Sequence, residues 1–333
     1  MKAHTIQNRR SSRMRKVLCI AATLAVVAEP IAARSDWPSE RPLKVIVPYT
    51  AGGPSDTVTR AIAKRLAERI GQNIVVENRP GANSALGIGQ AAQMPADGYT
   101  FVTVLPAFLI NSNLNKNIPY KLQDLAPVSL MADMPLFLFT NKDVPGQTIA
   151  DMVKYFRSNP GKANYASSGE GSSAHLTGSY FALRNGLQMT HVPYKGASQF
   201  LPDLVSGQVS MVFDAMVLEM PYVKEGKLKA LAIASRNRYP DAPDIPTMQE
   251  SGYPGFIMGS WAGLMAPAGT PAAAIERMSR EIAEIVKQPE VVATFKHLGF
   301  LPMGTSPQEF KSFLNDETER YAKILKDSNV KPE

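Results

Sequence analysis

The 333-residue chain has one cysteine, Cys19, which excludes a disulfide framework and any zinc site built on cysteine. Histidine is almost as scarce. Beyond residue 33 there are only His175, His191 and His297, and no pair stands at His-x3-His spacing. The chain is therefore expected to hold no metal and to need no cofactor. Past residue 33 no run reaches the ~18 apolar residues that a membrane-spanning helix needs. An excess of positive charge is also missing from most of the chain, although the formal total is +7. Lys2, Arg9, Arg10, Arg13, Arg15 and Lys16 stand against Glu29 in the first 33 residues, and the remainder carries 30 bases and 28 acids. A body so near neutrality has no phosphate-tracking surface, so nucleic acid is not an expected partner.

What is present begins with a leader. Residues 1–16 are basic, Val17 to Ala28 form a short apolar stretch, and Ile31-Ala32-Ala33 precede the polar Arg34-Ser35-Asp36. This is the pattern of a secretory signal, with cleavage expected after Ala33. About 12 apolar residues cannot cross a hydrocarbon core that needs about 20. Arg9-Arg10 lacks the following bulky apolar residue of a twin-arginine signal, and Lys16-Val17-Leu18 does not make Cys19 a lipidation site. The mature chain would be free of cysteine, as suits an oxidising compartment.

Hydrophobic patterning gives an α/β reading. Leu43 to Val47 reads as a buried strand, Thr57 to Ile70 as a helix stopped by Gly71, and Asn73 to Glu77 as a second strand. Strand, helix and strand at this spacing make a βαβ unit with parallel strands. Further strands are expected at Tyr99–Leu105, Leu136–Thr140, Ala163–Ala166, Met189–Val192, Val209–Phe213 and Ala230–Ser235. Helices are expected at Thr148–Ser158, Ala174–Asn185, Pro271–Gln288 and Pro307–Lys326.

Two loops share a design. Pro48 to Asp56 and Ser167 to Ser173 each follow a strand, are rich in glycine or serine, and lead into a helix N-terminus. Such loops turn backbone N–H groups toward a carboxylate or phosphate, with the helix dipole adding positive potential. Asp56, Ser172 and Ser173 also suit plain helix caps. A Ser-His-Asp triad from Ser172 or Ser173, His175 or His191, and Asp214 lacks a G-x-S-x-G elbow, and His175 reads better as a support of the cleft. Gly87-Ile88-Gly89-Gln90-Ala91-Ala92 matches a dinucleotide fingerprint but follows a loop instead of a strand, so it reads as a helix packed closely on the sheet.

These segments resemble one family. Val47-Pro48-Tyr49-Thr50-Ala51-Gly52-Gly53-Pro54-Ser55-Asp56 with Arg60, Val76-Glu77-Asn78-Arg79-Pro80-Gly81-Ala82, His191-Val192-Pro193-Tyr194-Lys195-Gly196 and Leu264-Met265-Ala266-Pro267-Ala268-Gly269-Thr270-Pro271 are similar to the substrate-binding proteins of tripartite tricarboxylate transporters, the Bug-type receptors. The resemblance runs in one order across residues 36–330. It implies a two-domain periplasmic binding protein of type II-like form, each domain a mostly parallel sheet flanked by helices. Domain 1 would comprise 34–135 plus 257–333 and domain 2 would comprise 136–256, with crossings near Met131–Leu138 and Phe256–Leu264.

The implied protein is a monomer that closes on a small carboxylate, an organic acid, acidic amino acid or aromatic acid, and delivers it to the membrane subunits of its transporter. The implied ligand contacts are Tyr49, Gly52, Gly53, Asp56, Ala107, Ser167, Ser168, Gly169, Ser172, Ser173, Tyr194, Lys195 and Asp214. Two departures bear on the ligand. Ala82-Asn83-Ser84-Ala85-Leu86 replaces a more glycine-rich run, and Leu105-Pro106-Ala107-Phe108 is apolar, a wall suited to a hydrophobic or aromatic remainder. The rival reading is a secreted serine hydrolase using the 167–173 loop.

Overall fold

The computed structural model describes residues 37–114, 117–169, 171–194 and 196–328, so the expected leader at 1–33 lies outside the described residues. From Pro38 onward the chain is one compact unit containing two sheets. The apolar run Leu43–Val47 is β1, with four of its five residues buried. Helix α1, Pro54–Ile70, starts earlier than the pattern suggested because Pro54 takes its first position, where a missing N–H costs nothing. Gly71 ends it at φ 72, its amide donating to the Ala67 carbonyl. Strand β2 is Ile74–Asn78, α2 is Ala85–Ala92, β3 is Thr100–Val104 and α3 is Ala107–Leu114.

Strand β4, Leu125–Pro135, then runs into β5, Phe137–Asn141, with only Leu136 between them. The second sheet is built from β5, β6 (Asn164–Ser167), β7 (Thr190–Pro193), β8 (Met211–Asp214) and β9 (Leu228–Ile233), with α4 (Ile149–Ser158), α5 (Ser173–Asn185), α6 (Ala197–Ser206) and α7 (Met216–Lys224) between them. The chain returns through β10, Gly259–Pro267, and ends with α8 (Ala272–Ile285), α9 (Pro289–His297), β11 (Leu301–Pro302) and α10 (Pro307–Ser328).

Sheet order is β11-β4-β10-β3-β1-β2 in one half and β7-β6-β8-β5-β9 in the other. The expectation of mostly parallel sheets needs correction, because both are mixed. β2, β1 and β3 are parallel, as are β7, β6 and β8, but β10 is antiparallel to β3 and β4, and β5 is antiparallel to β8 and β9. The reason is topological. The strands that cross between halves leave one sheet and come back to it, so each brings an antiparallel neighbour. Register fixes where the crossing lies: Pro135 pairs with Gly259, and Phe137 pairs with Asp214. Both sheets therefore present the C-terminal ends of their parallel strands toward the crossing, the edge at which open α/β sheets bind ligands.

The return crossing is clamped by α10. Arg320 donates to the Ile257 carbonyl and to Glu317, while the buried Trp261 indole donates to Glu317 Oε2 at 3.1 Å. An aromatic cluster of Phe181, Phe213 and Phe256 packs beneath, with Phe213 and Phe256 stacked at 5.9 Å.

The glycines of the fingerprint-like run lie inside α2 and serve packing. A Cβ on Gly87 would come within 2.5 Å of the Arg79 carbonyl and 2.7 Å of Pro48 Cβ, and one on Gly89 within 2.7 Å of Pro119 Cγ. Because the Arg79 obstruction is backbone, Gly87→Ala should destabilise by about 1–3 kcal/mol despite the better helix propensity of alanine. A thermal melt showing equal or greater stability would contradict this packing role.

Candidate functional site

At the loop edge of the first sheet, segments 48–53, 79–84 and 105–106 follow β1, β2 and β3. Gly52 lies at φ 80, a conformation glycine reaches without strain, and turns its amide onto Asp56 Oδ2 at 2.9 Å. The same carboxylate accepts from Arg60 Nε at 3.0 Å and Asn78 Nδ2 at 2.8 Å, and Asn78 Nδ2 also reaches the Tyr49 carbonyl at 3.1 Å. Asp56 is 3% exposed. Burial raises its pKa, but Arg60, the Gly52 amide and Asn78 outweigh that and hold it below the usual carboxylate range. Its oxygens thus organise the loop and tie it to the end of β2.

Gly53 sits at φ −74 and ψ 170, ordinary extended backbone, so any strain from an added side chain belongs at Gly52. The amides of Gly53, Ser55 and Asp56 donate to no acceptor among the described residues, and they surround the N-terminus of α1. Ala107 opens α3 and is 9% exposed. Phe108, part of the apolar wall expected there, is 1% exposed and stacks on Tyr120 at 5.4 Å inside the core, while Leu105 of the same run is half-buried.

On the second sheet, the loop after β6 is held from within. Ser167 is fully buried, its Oγ 2.7 Å from His191 Nε2 and accepting the Gly169 amide at 3.1 Å. Ser168 is exposed at the loop tip. Gly169 and Gly171 take φ 118 and 69. Ser172 caps α5 by accepting the His175 amide at 3.2 Å, Ser173 is the first residue of that helix, and the Gly171 amide donates to His175 Nδ1 at 3.1 Å. His175 and His191 stack at 3.9 Å with planes 6° apart, and Tyr165 stacks on His191 at 5.0 Å. The histidines therefore brace the loop. Tyr194 donates its hydroxyl to Asp203 Oδ2 at 2.5 Å, and burial together with Asp203 pushes its pKa up to about 12. Lys195 lies outside the described residues.

The two sets of loops come together. A Cβ on Gly171 would lie 3.3 Å from Asn83 Nδ2, so the turn after β2 meets the loop after β6. Surface hollows lined by Lys154, Arg157 and Tyr253, or by Met220, Lys296 and His297, lie away from this meeting point.

Asp214, at the C-terminal end of β8, is half-buried and is not the cap of α7, a position held by Ala215. It adjoins Glu219, which is fully buried and whose carboxyl oxygens have no hydrogen-bond partner among the described residues. Burial raises both pKa values, and for Glu219 the neighbouring Asp214 adds to the rise. A carboxyl with a raised folded pKa binds its proton more tightly in the folded state. Its favourable contribution is full below the ordinary carboxylate range and is lost as pH rises through the raised value. Glu219→Gln, which keeps a donor facing Asp214 at every pH, should therefore be more stable than wild type at pH 8, with a gap that closes toward pH 4. Melts across that range test this; a gap independent of pH would contradict it.

Sequence reading missed Glu219, and it marked Asn83 and Ser84 only as part of a departure from a glycine-rich run. Ala82, Asn83 and Ser84 take φ 45, 46 and 74, three successive left-handed residues that are not glycine.

The family model for the tripartite tricarboxylate transporter family receptor matches residues 58–330. The structure of Rpa4515 from R. palustris with adipate is 32% identical with a TM-score of 0.78, the alignment covering 90% of this chain and all of that one. The periplasmic binding protein BugD is 31% identical with a TM-score of 0.75, covering 88% and 99%. MatC (Rpa3494) from Rhodopseudomonas palustris, with bound malate, is 31% identical with a TM-score of 0.73, covering 86% and 99%.

Proposed function

The chain belongs to the tripartite tricarboxylate transporter receptor family, and from that membership we propose that it captures a small carboxylate in the periplasm and delivers it to the membrane subunits of such a transporter. The ligand closes two lobes, 34–135 with 257–333 and 136–256, about the crossings at Leu136 and before Gly259. One observation carries this reading: three unengaged amides at the start of α1 lie on the same loop edge as the turn that meets the second half at Gly171. Amides at a helix N-terminus suit a carboxylate and need no cation.

In the second lobe Ser168, Gly169, Tyr194 and Lys195 complete the closure, while Ser167 and Ser172 hold the loop in shape. Adipate in Rpa4515 and malate in MatC support an organic acid of about that size. No cofactor takes part and nothing is turned over. A thermal-shift screen of dicarboxylates, hydroxy acids, acidic amino acids and aromatic acids tests the reading, with recovery of the hit to check that it is unchanged. A hydrolysed hit would favour a serine hydrolase, although the buried Ser167 hydroxyl is poorly placed to attack.

Asp214 supplies selectivity in this scheme. Its carboxyl at the loop edge favours acids that also carry a hydroxyl or ammonium and disfavours a second anion beside it. Asp214→Asn should therefore reduce the preference for malate over adipate. An unchanged ranking across the acid panel would remove Asp214 from recognition.

A further inference from the structure

We propose that the hydroxyls of Tyr49 and Ser84 form a second ligand contact in the first lobe, an uncharged donor pair that takes an oxygen of the bound acid. The inference rests on the carboxylate-receptor reading and adds a specificity-determining pair to it.

Ser84 immediately precedes α2, where serine ordinarily caps the helix by accepting a backbone N–H. Here it makes no such bond, and its backbone is left-handed at φ 74 instead of the extended form usual for a capping residue. The residue is 2% exposed, and its hydroxyl has no hydrogen-bond partner among the described residues. The Tyr49 hydroxyl is likewise buried without a partner, and it adjoins Ser84 without meeting hydrogen-bond geometry. Burial pushes the tyrosine pKa upward, so this hydroxyl stays a proton donor. Buried hydroxyls left unpaired are costly, and so is left-handed backbone at Ser84. Tyr49 belongs to the 48–53 loop, and Ser84 directly follows Asn83, the residue that meets Gly171 of the other half. A ligand oxygen held by the α1 amides lies on the same loop edge and would satisfy both donors.

Ser84→Ala and Tyr49→Phe test this, each melted without ligand and titrated calorimetrically with adipate and with malate. The unliganded variants should melt at or above the wild-type temperature, since each loses an unpaired buried hydroxyl. Affinity for whichever acid the wild type binds should fall about 10- to 100-fold, the size of a hydrogen bond to a charged group. Affinity equal to wild type in both variants overturns the proposal. So does a clear loss of unliganded stability, which would mean that the hydroxyls already serve the fold, for instance through a buried water. Failure of the wild type to bind either acid counts against the receptor reading for those acids, while the unliganded melts still decide whether the hydroxyls are unpaired.

Discussion

Valine at position 53 should leave the protein folded and lower carboxylate affinity by about two to four orders of magnitude, the loss of two charge-assisted hydrogen bonds at about 1.5–3 kcal/mol each. The fold should tolerate it because Gly53 occupies extended backbone, and a Cβ there would meet only the Thr50 carbonyl at 3.5 Å, an ordinary contact. The branched side chain would instead stand over the unengaged amides of Gly53 and Ser55. Titration calorimetry beside a circular-dichroism melt separates the two effects. A folded variant that binds as tightly as wild type would remove this loop from the site.

Asp56→Ala should act on both binding and stability. It strips acceptors from the Gly52 amide, Arg60 and Asn78 together, and frees the turn that places the neighbouring amides. Arg60 is about half exposed and can rehydrate, so the stability loss is set at about 2–3 kcal/mol, below that of a fully buried broken pair. Because the folded pKa of Asp56 is lowered, its contribution is present above the ordinary carboxylate pKa and is lost as pH falls through the lowered value. The difference in melting temperature between wild type and Asp56→Ala should therefore shrink in acid. A variant as stable as wild type at pH 7 would show that the network does not organise the loop.

These two residues also show how far sequence reading reached. The stretch Leu43 to Ile70 announced a strand, a turn at Pro48 to Asp56 and a helix, and the structure has all three. The division of labour within it was not legible, since which glycine needs positive φ and which carboxylate turns inward depend on Asn78, far along the chain in β2. Ser172 was readable as a cap because capping is local. Strands β4 and β10 were expected only as crossings near Met131–Leu138 and Phe256–Leu264, which the family resemblance implied, and their own patterning did not announce them for a related reason. Leu125-Ala126-Pro127 and Gly259-Ser260-Trp261-Ala262-Gly263 carry no two-residue alternation, because crossing strands are covered on both faces. With them went the mixed character of the sheets. Neither α7 nor Glu219 was singled out in the sequence, and only packing shows Glu219 buried against Asp214.

The proposed function requires two lobes that close on a small carboxylate about the crossings at Leu136 and before Gly259. Small-angle scattering of the purified protein, with and without a saturating concentration of the acid that gives the largest thermal shift, tests it most directly. The radius of gyration should be smaller with the acid bound. Superimposable profiles at saturation would contradict closure, and with it the mechanism proposed for this receptor.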